Sequence, residues 1–398
     1  MPSVWPLGSA NRLPLRIAIT APQQPVTRDT DIAKVQDLKI LALNTDRGVQ
    51  VGASGYPRLL DFIPECRRIG FPRRDPRRFI PRLLTRLLQL GSASRWYRIG
   101  SLRTEIQALF QIITRPPDVV HVLWGDQDWG YIDHFVPGST ALVVTLHNTP
   151  ELLKPSFRRV NALKRVDRFI LMSPDQASFL QQLEIPATKW TFVPHGIDID
   201  AFKPLHQQSD SPTRPFRVVH VGNYLRDFEQ LSAITRDLRD HPVHFEIVCS
   251  TENRSAHEFG PNVSWHHGIS NEALVSLYQN SDVLLMAVSG ATANNAILEG
   301  MACGLPIVSH DVGGLSAYMD ESFATFVPRD SWEHLRDALL ELIGDEGRLR
   351  SARIAARKRA ESLSWKEIAK DTRGIYEAAL AERRGRRVQH RDGVELHP

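Results

Sequence analysis

Glu299 stands as a lone carboxylate among Ala293, Ile297, Leu298 and Met301, apolar residues at helical spacing. Burying an unpaired carboxylate is costly, so Glu299 needs a partner. Two partners fit: a ribose diol, whose hydroxyls can each donate to a carboxylate oxygen, or an internal Arg or Lys. Just upstream, the turn Gly290 to Asn295 leads into this helix. Its backbone N–H groups make a ready anion site, and Thr292, Asn294 and Asn295 add polar side chains, which also make ordinary N-caps. Arg226 is the only cation between Gly222 and Phe228. It can grip phosphate oxygens bidentately, or pair with Asp227 or Glu229. His147 ends one apolar run, and Asp126 and Asp128 end another. His266-His267 invites a metal reading, but adjacent side chains point apart and no further ligand has suitable spacing, so no metal site is expected.

These residues need elements to position them. Val283 to Val288 is a short continuous apolar run, as in a strand buried on both faces. Ser289-Gly290 breaks it, a helix is predicted over 291–302, and Gly304 and Pro306 stop that helix. Ile307-Val308 opens the next strand, which closes on Gly313-Gly314. This is a βαβ unit, so the fold class is α/β with parallel sheets. Further strands are predicted at 119–124, 141–146, 166–173, 216–221 and 245–249. Ligands in open α/β sheets collect at the carboxyl ends of strands. That rule makes His147 a candidate catalytic residue, and Asp126 and Asp128 candidates for a second substrate. Leu15 to Thr20 reads as the first strand and Leu38 to Leu43 as the second; the turn at 21–25 has two prolines and no glycine. The stretch 205–215 is polar and proline-bearing, an interdomain linker. Two domains follow, 1–204 and 205–398. Helices are expected over 331–343 and 348–363, and 383–398 reads as a disordered tail.

The 398 residues leave ample chain for two cores, and a 42% hydrophobic share is ordinary for a globular protein. Cys66, Cys249 and Cys303 form no C-x-x-C pair, which suits a reducing compartment and argues against a disulfide framework. Neither a basic start followed by an apolar run nor a span of about 18 apolar residues is found, so a cytoplasmic place is expected. The net charge of +4 conceals one strong bias: Arg67 to Arg103 holds eleven arginines and a single acid, Asp75. Within it Ile80, Leu83, Leu84, Leu87 and Leu88 form an apolar helical face, with Arg78, Arg82 and Arg86 on another. Such a segment can lie on an anionic membrane surface, or can be a packed helix with a solvated arginine face. No nucleic-acid motif accompanies the charge. With no G-x-G-x-x-G loop and no G-K-[ST] loop, dinucleotide and ATPase readings have no motif behind them.

The run Glu299-Gly300-Met301-Ala302-Cys303-Gly304-Leu305-Pro306-Ile307-Val308, with Val312-Gly313-Gly314 after it, resembles the retaining GT-B glycosyltransferases of the GT4 type. Phe192 to Asp198 is similar to that family's P-N-G-V-D turn, with His195 where the family has asparagine and no catalytic role assigned to it. Phe202-Lys203-Pro204 is similar to its F-x-P ending, and Val263 to Ser270 to its F-x-G-x-V-S turn. Ser364-Trp365 resembles the start of its last helix, which crosses back onto the first domain over about 365–385. The resemblance implies two Rossmann-like domains across a cleft, the first for an acceptor and the second for a nucleotide sugar. It implies that Glu299 holds the ribose and that the backbone at Ile269 meets the base. Thr292, Ala293, Asn294 and Asn295 would face the sugar and diphosphate, Gly222, Asn223 and Arg226 would hold the diphosphate, and His147 would face the donor sugar. The chain departs from the pattern at Ala291, where the family's first glutamate falls, at Asn223 in place of an arginine, and in lacking the lysine that follows it. The implied activity is metal-independent, retaining transfer of a sugar to a glycan, lipid-linked or small-molecule acceptor, with no cofactor. The alternatives are a nucleotide-sugar epimerase of the same fold and a catalytically degenerate binding subunit.

Overall fold

A computed structural model of the protein describes residues 38–45, 54–71, 87, 89–205 and 214–392, with side chains up to 386. Two six-stranded, all-parallel sheets lie within the compact unit Leu38–Pro398. The first is built from β1 (Ile40–Leu43), β2 (Cys66–Ile69), β3 (Val119–Val122), β4 (Ala141–Leu146), β5 (Arg168–Leu171) and β6 (Trp190–Phe192). Its order is β2-β1-β3-β4-β5-β6. The second is built from β7 (Phe216–Val221), β8 (Val243–Val248), β9 (Val263–His266), β10 (Val283–Met286), β11 (Ile307–His310) and β12 (Ala324–Val327). Its order, β12-β11-β10-β7-β8-β9, is doubly wound.

The inner strands β1, β3, β4, β5, β10 and β11 are buried along their whole length because both faces are covered. Along β1, Ile40 and Ala42 join one buried cluster while Leu41 and Leu43 join another, the period of two that a pleated strand imposes. The principal helices are α1 (Ile99–Thr114), α2 (Phe228–Asp237), α3 (Asn271–Gln279), α4 (Asn295–Ala302), α5 (Trp332–Ile343), α6 (Glu346–Ser362) and α7 (Trp365–Asp392). Ser331 caps α5, Ser270 caps α3 and Asp227 caps α2, each accepting from a backbone N–H of the first turn. Helix α7 packs onto the first sheet: Tyr376 bonds His121, Arg373 pairs with Glu65, and Arg168 pairs with Glu382.

Several expectations change. The predicted strand at 15–20 lies outside the described residues, as do the arginine-rich helix around 78–86 and most of the linker. The strand expected second, here Ile40–Leu43, pairs with both β2 and β3. In sequence, Gly48, Gly52 and Gly55 follow this strand. Helix α4 starts at Asn295 rather than 291, because Asn294 takes the extended N-cap conformation and its side chain accepts from the N–H groups of Ala296 and Ile297. The strand at 119 ends at Val122, and Gly125–Asp128 forms a short helix. Helix α7 continues to Asp392 and replaces the start of the disordered tail expected from 383; ion pairs from Arg383 to Asp167 and Arg384 to Asp118 bind its polar stretch to the first sheet.

Candidate functional site

Each sheet has one point where its winding reverses: between β1 and β3 in the first, between β7 and β10 in the second. Loops leaving adjacent strands in opposite directions there leave a crevice at the carboxyl ends. The loops after β1, β3, β4 and β6 contribute Tyr56, Trp124, His147 and His195, and those after β7 and β10 contribute Arg226 and Asn294, all to one cavity of about 370 Å³.

The second-sheet wall carries a buried guanidinium. The Arg226 guanidinium donates from Nε to the Val221 carbonyl (2.9 Å), from Nη1 to the Tyr224 carbonyl (3.0 Å) and from Nη2 to Asn294 Oδ1 (3.2 Å). Every one of these acceptors is neutral, and among the described residues no carboxylate pairs with Arg226. Asp227, offered above as a partner, faces Arg329 instead. Burial pushes the Arg226 pKa down to about 10, with Tyr278 and Glu299 pulling weakly the other way. Gly222 makes this placement possible. Its φ is +113°, and a Cβ there would lie 2.6 Å from Arg226 Nη2. Beside the guanidinium, the N–H groups of Thr292, Ala293 and Asn295 meet no acceptor among the described residues.

The first-sheet wall is aromatic. The His147 ring lies 4.1 Å from that of Trp124 and 4.8 Å from that of Tyr56, centroid to centroid. His147 Nε2 donates to the Leu123 carbonyl at 2.7 Å, which sets its tautomer, and Thr292 Oγ1 donates to the His147 carbonyl at 2.7 Å, tying the two walls together.

The expected site residues divide accordingly. His147, Asn223, Arg226, Thr292, Ala293, Asn294 and Asn295 all line the cavity. Asp126 and Asp128 do not: Asp126 Oδ2 accepts from the Asn148 N–H (2.7 Å) and Asp128 Oδ1 from Ser101 Oγ (3.0 Å), so both hold loops together. Gln127, between them, is the residue that reaches the cavity. Gly222 supports Arg226 from behind, and Ile269 is not a lining residue. Glu299 is buried outside the lining, and among the described residues no Arg or Lys forms an ion pair with it. Its Oε2 accepts from Tyr278 Oη at 2.8 Å and its Oε1 from Ser54 Oγ, and burial raises its pKa to about 7. Tyr56, Trp124 and His195 were missed as site residues. The strand-end rule reaches Trp124 and His195, but nothing in the sequence singles out Tyr56. Among the described residues no group of three or more His, Cys, Asp or Glu could hold a metal ion.

Two doubly wound sheets meeting at a cavity between their carboxyl ends define a GT-B architecture. Residues 215–345 match the family described as glycosyl transferases group 1, and residues 49–201 match glycosyltransferase family 4. The two matches take in most of the chain, and it belongs to the GT4-type glycosyltransferases. A D-inositol 3-phosphate glycosyltransferase of Nocardia farcinica is 33% identical over 118 residues, 29% of this chain and 26% of that protein. The chain thus spans about a quarter of the length of the first curated relatives it matches. Among solved structures, a sucrose-phosphate synthase from Thermosynechococcus elongatus aligns with a TM-score of 0.65 at 17% identity, over 86% of this chain and 99% of that one. Anabaena HepE in complex with UDP and glucose aligns with a TM-score of 0.63 at 14% identity, over 86% of this chain and 100% of that one.

Proposed function

We propose that the protein transfers a glycosyl group from a nucleotide sugar to an acceptor hydroxyl, with retention and without a metal ion. The observation that carries this reading is the two-sided cavity. An unpaired guanidinium and open N–H groups suit a diphosphate, and an aromatic wall suits the apolar faces of a sugar. In the reaction the bond from the anomeric carbon to the diphosphate oxygen breaks. A bond from that carbon to the acceptor oxygen forms, and the hydroxyl proton leaves with the diphosphate. Charge then grows on the diphosphate, where Arg226 and the N–H groups of Thr292, Ala293 and Asn295 can stabilise it electrostatically. His147 is assigned to the donor sugar. Glu299 is assigned to the ribose: it already accepts two hydroxyls, the groups a ribose would offer, and Ser54 would give way.

The protein is further proposed to work at an anionic membrane surface. On α1, Ile106, Phe110 and Ile113 are 59%, 63% and 71% exposed along one face, with exposed Arg95, Trp96, Arg98 and Arg103 at its head. No described helix is long and apolar enough to cross a membrane. A binding subunit without turnover is the second reading, favoured by Ala291 in place of the family's first glutamate. Calorimetric titration with UDP, GDP and ADP, with and without Mg²⁺, tests the main proposal. Micromolar binding of one nucleotide, independent of Mg²⁺, with slow hydrolysis of its sugar conjugate, is expected. Binding without hydrolysis or transfer would favour the second reading, and no binding would refute the first.

A further inference from the structure

The cavity contains a second imidazole, His195, to which the reading above gives no role. It follows β6, lines the cavity and is only 5% exposed. Its Nδ1 lies 2.7 Å from the Gly196 carbonyl oxygen, a group that only accepts, so Nδ1 carries the proton. The ring is held between Tyr56 (centroids 5.5 Å apart) and Trp365 (4.9 Å), the first residue of α7. The His195 N–H donates to Tyr318 Oη at 2.9 Å, and the Tyr318 hydroxyl donates to the Met172 carbonyl at 2.6 Å. Position and tautomer are therefore both set by the scaffold. Burial pushes the His195 pKa down to about 4, with the Gly196 carbonyl pulling weakly the other way, so the ring is neutral at pH 7. A neutral ring protonated at Nδ1 offers a lone pair at Nε2, and among the described residues no donor reaches it. The ring lines the cavity, whose occupant can supply the donor that the protein does not.

We propose that His195 Nε2 accepts a hydrogen bond from a sugar hydroxyl held in the cavity and selects substrates that carry that hydroxyl. The inference rests on the glycosyl-transfer reading and deepens it. A site that pairs a specific hydroxyl discriminates strongly against the analogue lacking it, because the acceptor is then left unpaired. The hydroxyl can belong to the donor's glycosyl group or to the acceptor, and the two sources separate experimentally.

The test uses His195→Phe, which keeps an aromatic ring but no acceptor, and His195→Gln, whose amide oxygen reaches the Nε2 position. The probes are UDP and UDP-glucose, or GDP and GDP-mannose if the wild type selects guanosine. His195→Phe is expected to bind the nucleoside diphosphate within about twofold of wild type and to lose roughly three- to tenfold in one of two readouts. A loss in sugar-nucleotide affinity assigns the hydroxyl to the donor. A rise in acceptor KM with unchanged donor hydrolysis assigns it to the acceptor. His195→Gln is expected to recover most of either loss. Nitrogen-15 spectra of histidine-labelled wild type should show the Nδ1–H tautomer, with the Nε2 signal moving on addition of the sugar nucleotide or of the acceptor, whichever carries the hydroxyl, but not of the diphosphate alone. Wild-type behaviour of His195→Phe in both readouts, or equal loss of the diphosphate and its sugar conjugate, overturns the proposal while leaving glycosyl transfer standing. Failure of the wild type to bind any nucleotide refutes glycosyl transfer, and this role falls with it.

Discussion

Replacing Arg226 by Met removes the cavity's buried cation while keeping much of its volume. The guanidinium bonds only to neutral oxygens of Val221, Tyr224 and Asn294, and burial lowers its pKa from 12.5 to about 10. At 1.36 kcal/mol per unit, that depression corresponds to about 3 kcal/mol of unfavourable desolvation. An arriving diphosphate offsets this cost, and a charge-assisted hydrogen bond contributes about 1.5–3 kcal/mol. Arg226→Met should therefore weaken nucleoside diphosphate binding by about 10- to 150-fold, while the uncharged nucleoside is affected less than about twofold. Arg226→Lys should recover part of the loss, since a lysine supplies the charge without the fork. The desolvation cost falls on the folded state at every pH below about 10, so removing the charge should leave the thermal midpoint unchanged or raise it. Calorimetry with diphosphate and nucleoside at two salt concentrations measures all of this. A diphosphate loss under twofold, or an equal loss of the nucleoside, would refute the assignment.

Three further outcomes are expected. Glu299 has a folded pKa of about 7 against an ordinary 4.5, so the folded state binds the extra proton between those values and stability falls as pH rises through them. Glu299→Gln should match wild type near pH 4.5 and be more stable by up to about 3 kcal/mol at pH 8 in urea titrations; a less stable variant at pH 8 would contradict the burial argument. Gly222→Ala places a Cβ against Arg226 at a φ of +113° and should cost about 1–3 kcal/mol in stability together with most of the diphosphate affinity. Ile106→Ser, Phe110→Ser and Ile113→Ser together should abolish flotation with anionic vesicles while changing stability by under about 0.5 kcal/mol per site, because all three are exposed; undiminished flotation would rule out α1 as the contact face.

Much of the site was legible because turn chemistry is local. Gly290 to Asn295 reads as an anion-binding turn, and Arg226 as its cation, from a dozen residues of context each. The strand-end rule put His147 among the residues that line the cavity for the same reason. It did not bring Asp126 and Asp128 to the cavity lining, because Val122 ends β3 two residues early and the short helix Gly125–Asp128 buries both carboxylates, leaving Gln127 facing the cavity. The helix start moved from 291 to Asn295 because side-chain capping by Asn294 outcompeted the apolar spacing of the residues before it.

Sequence alone determined the α/β class, the parallel strands and the polar turn from Gly290 to Asn295, since apolar periodicity, glycine stops and caps act over a few residues. Tertiary structure alone decided what each buried group touches. Glu299 meets Ser54 across 245 residues, His121 meets Tyr376 across 255, and Thr292 meets His147 across 145. Nothing in local pattern encodes such pairs. They follow from the docking of two rigid sheets and from α7 packing back onto the first, which also brings Trp365 against His195 and gives that ring its place in the cavity.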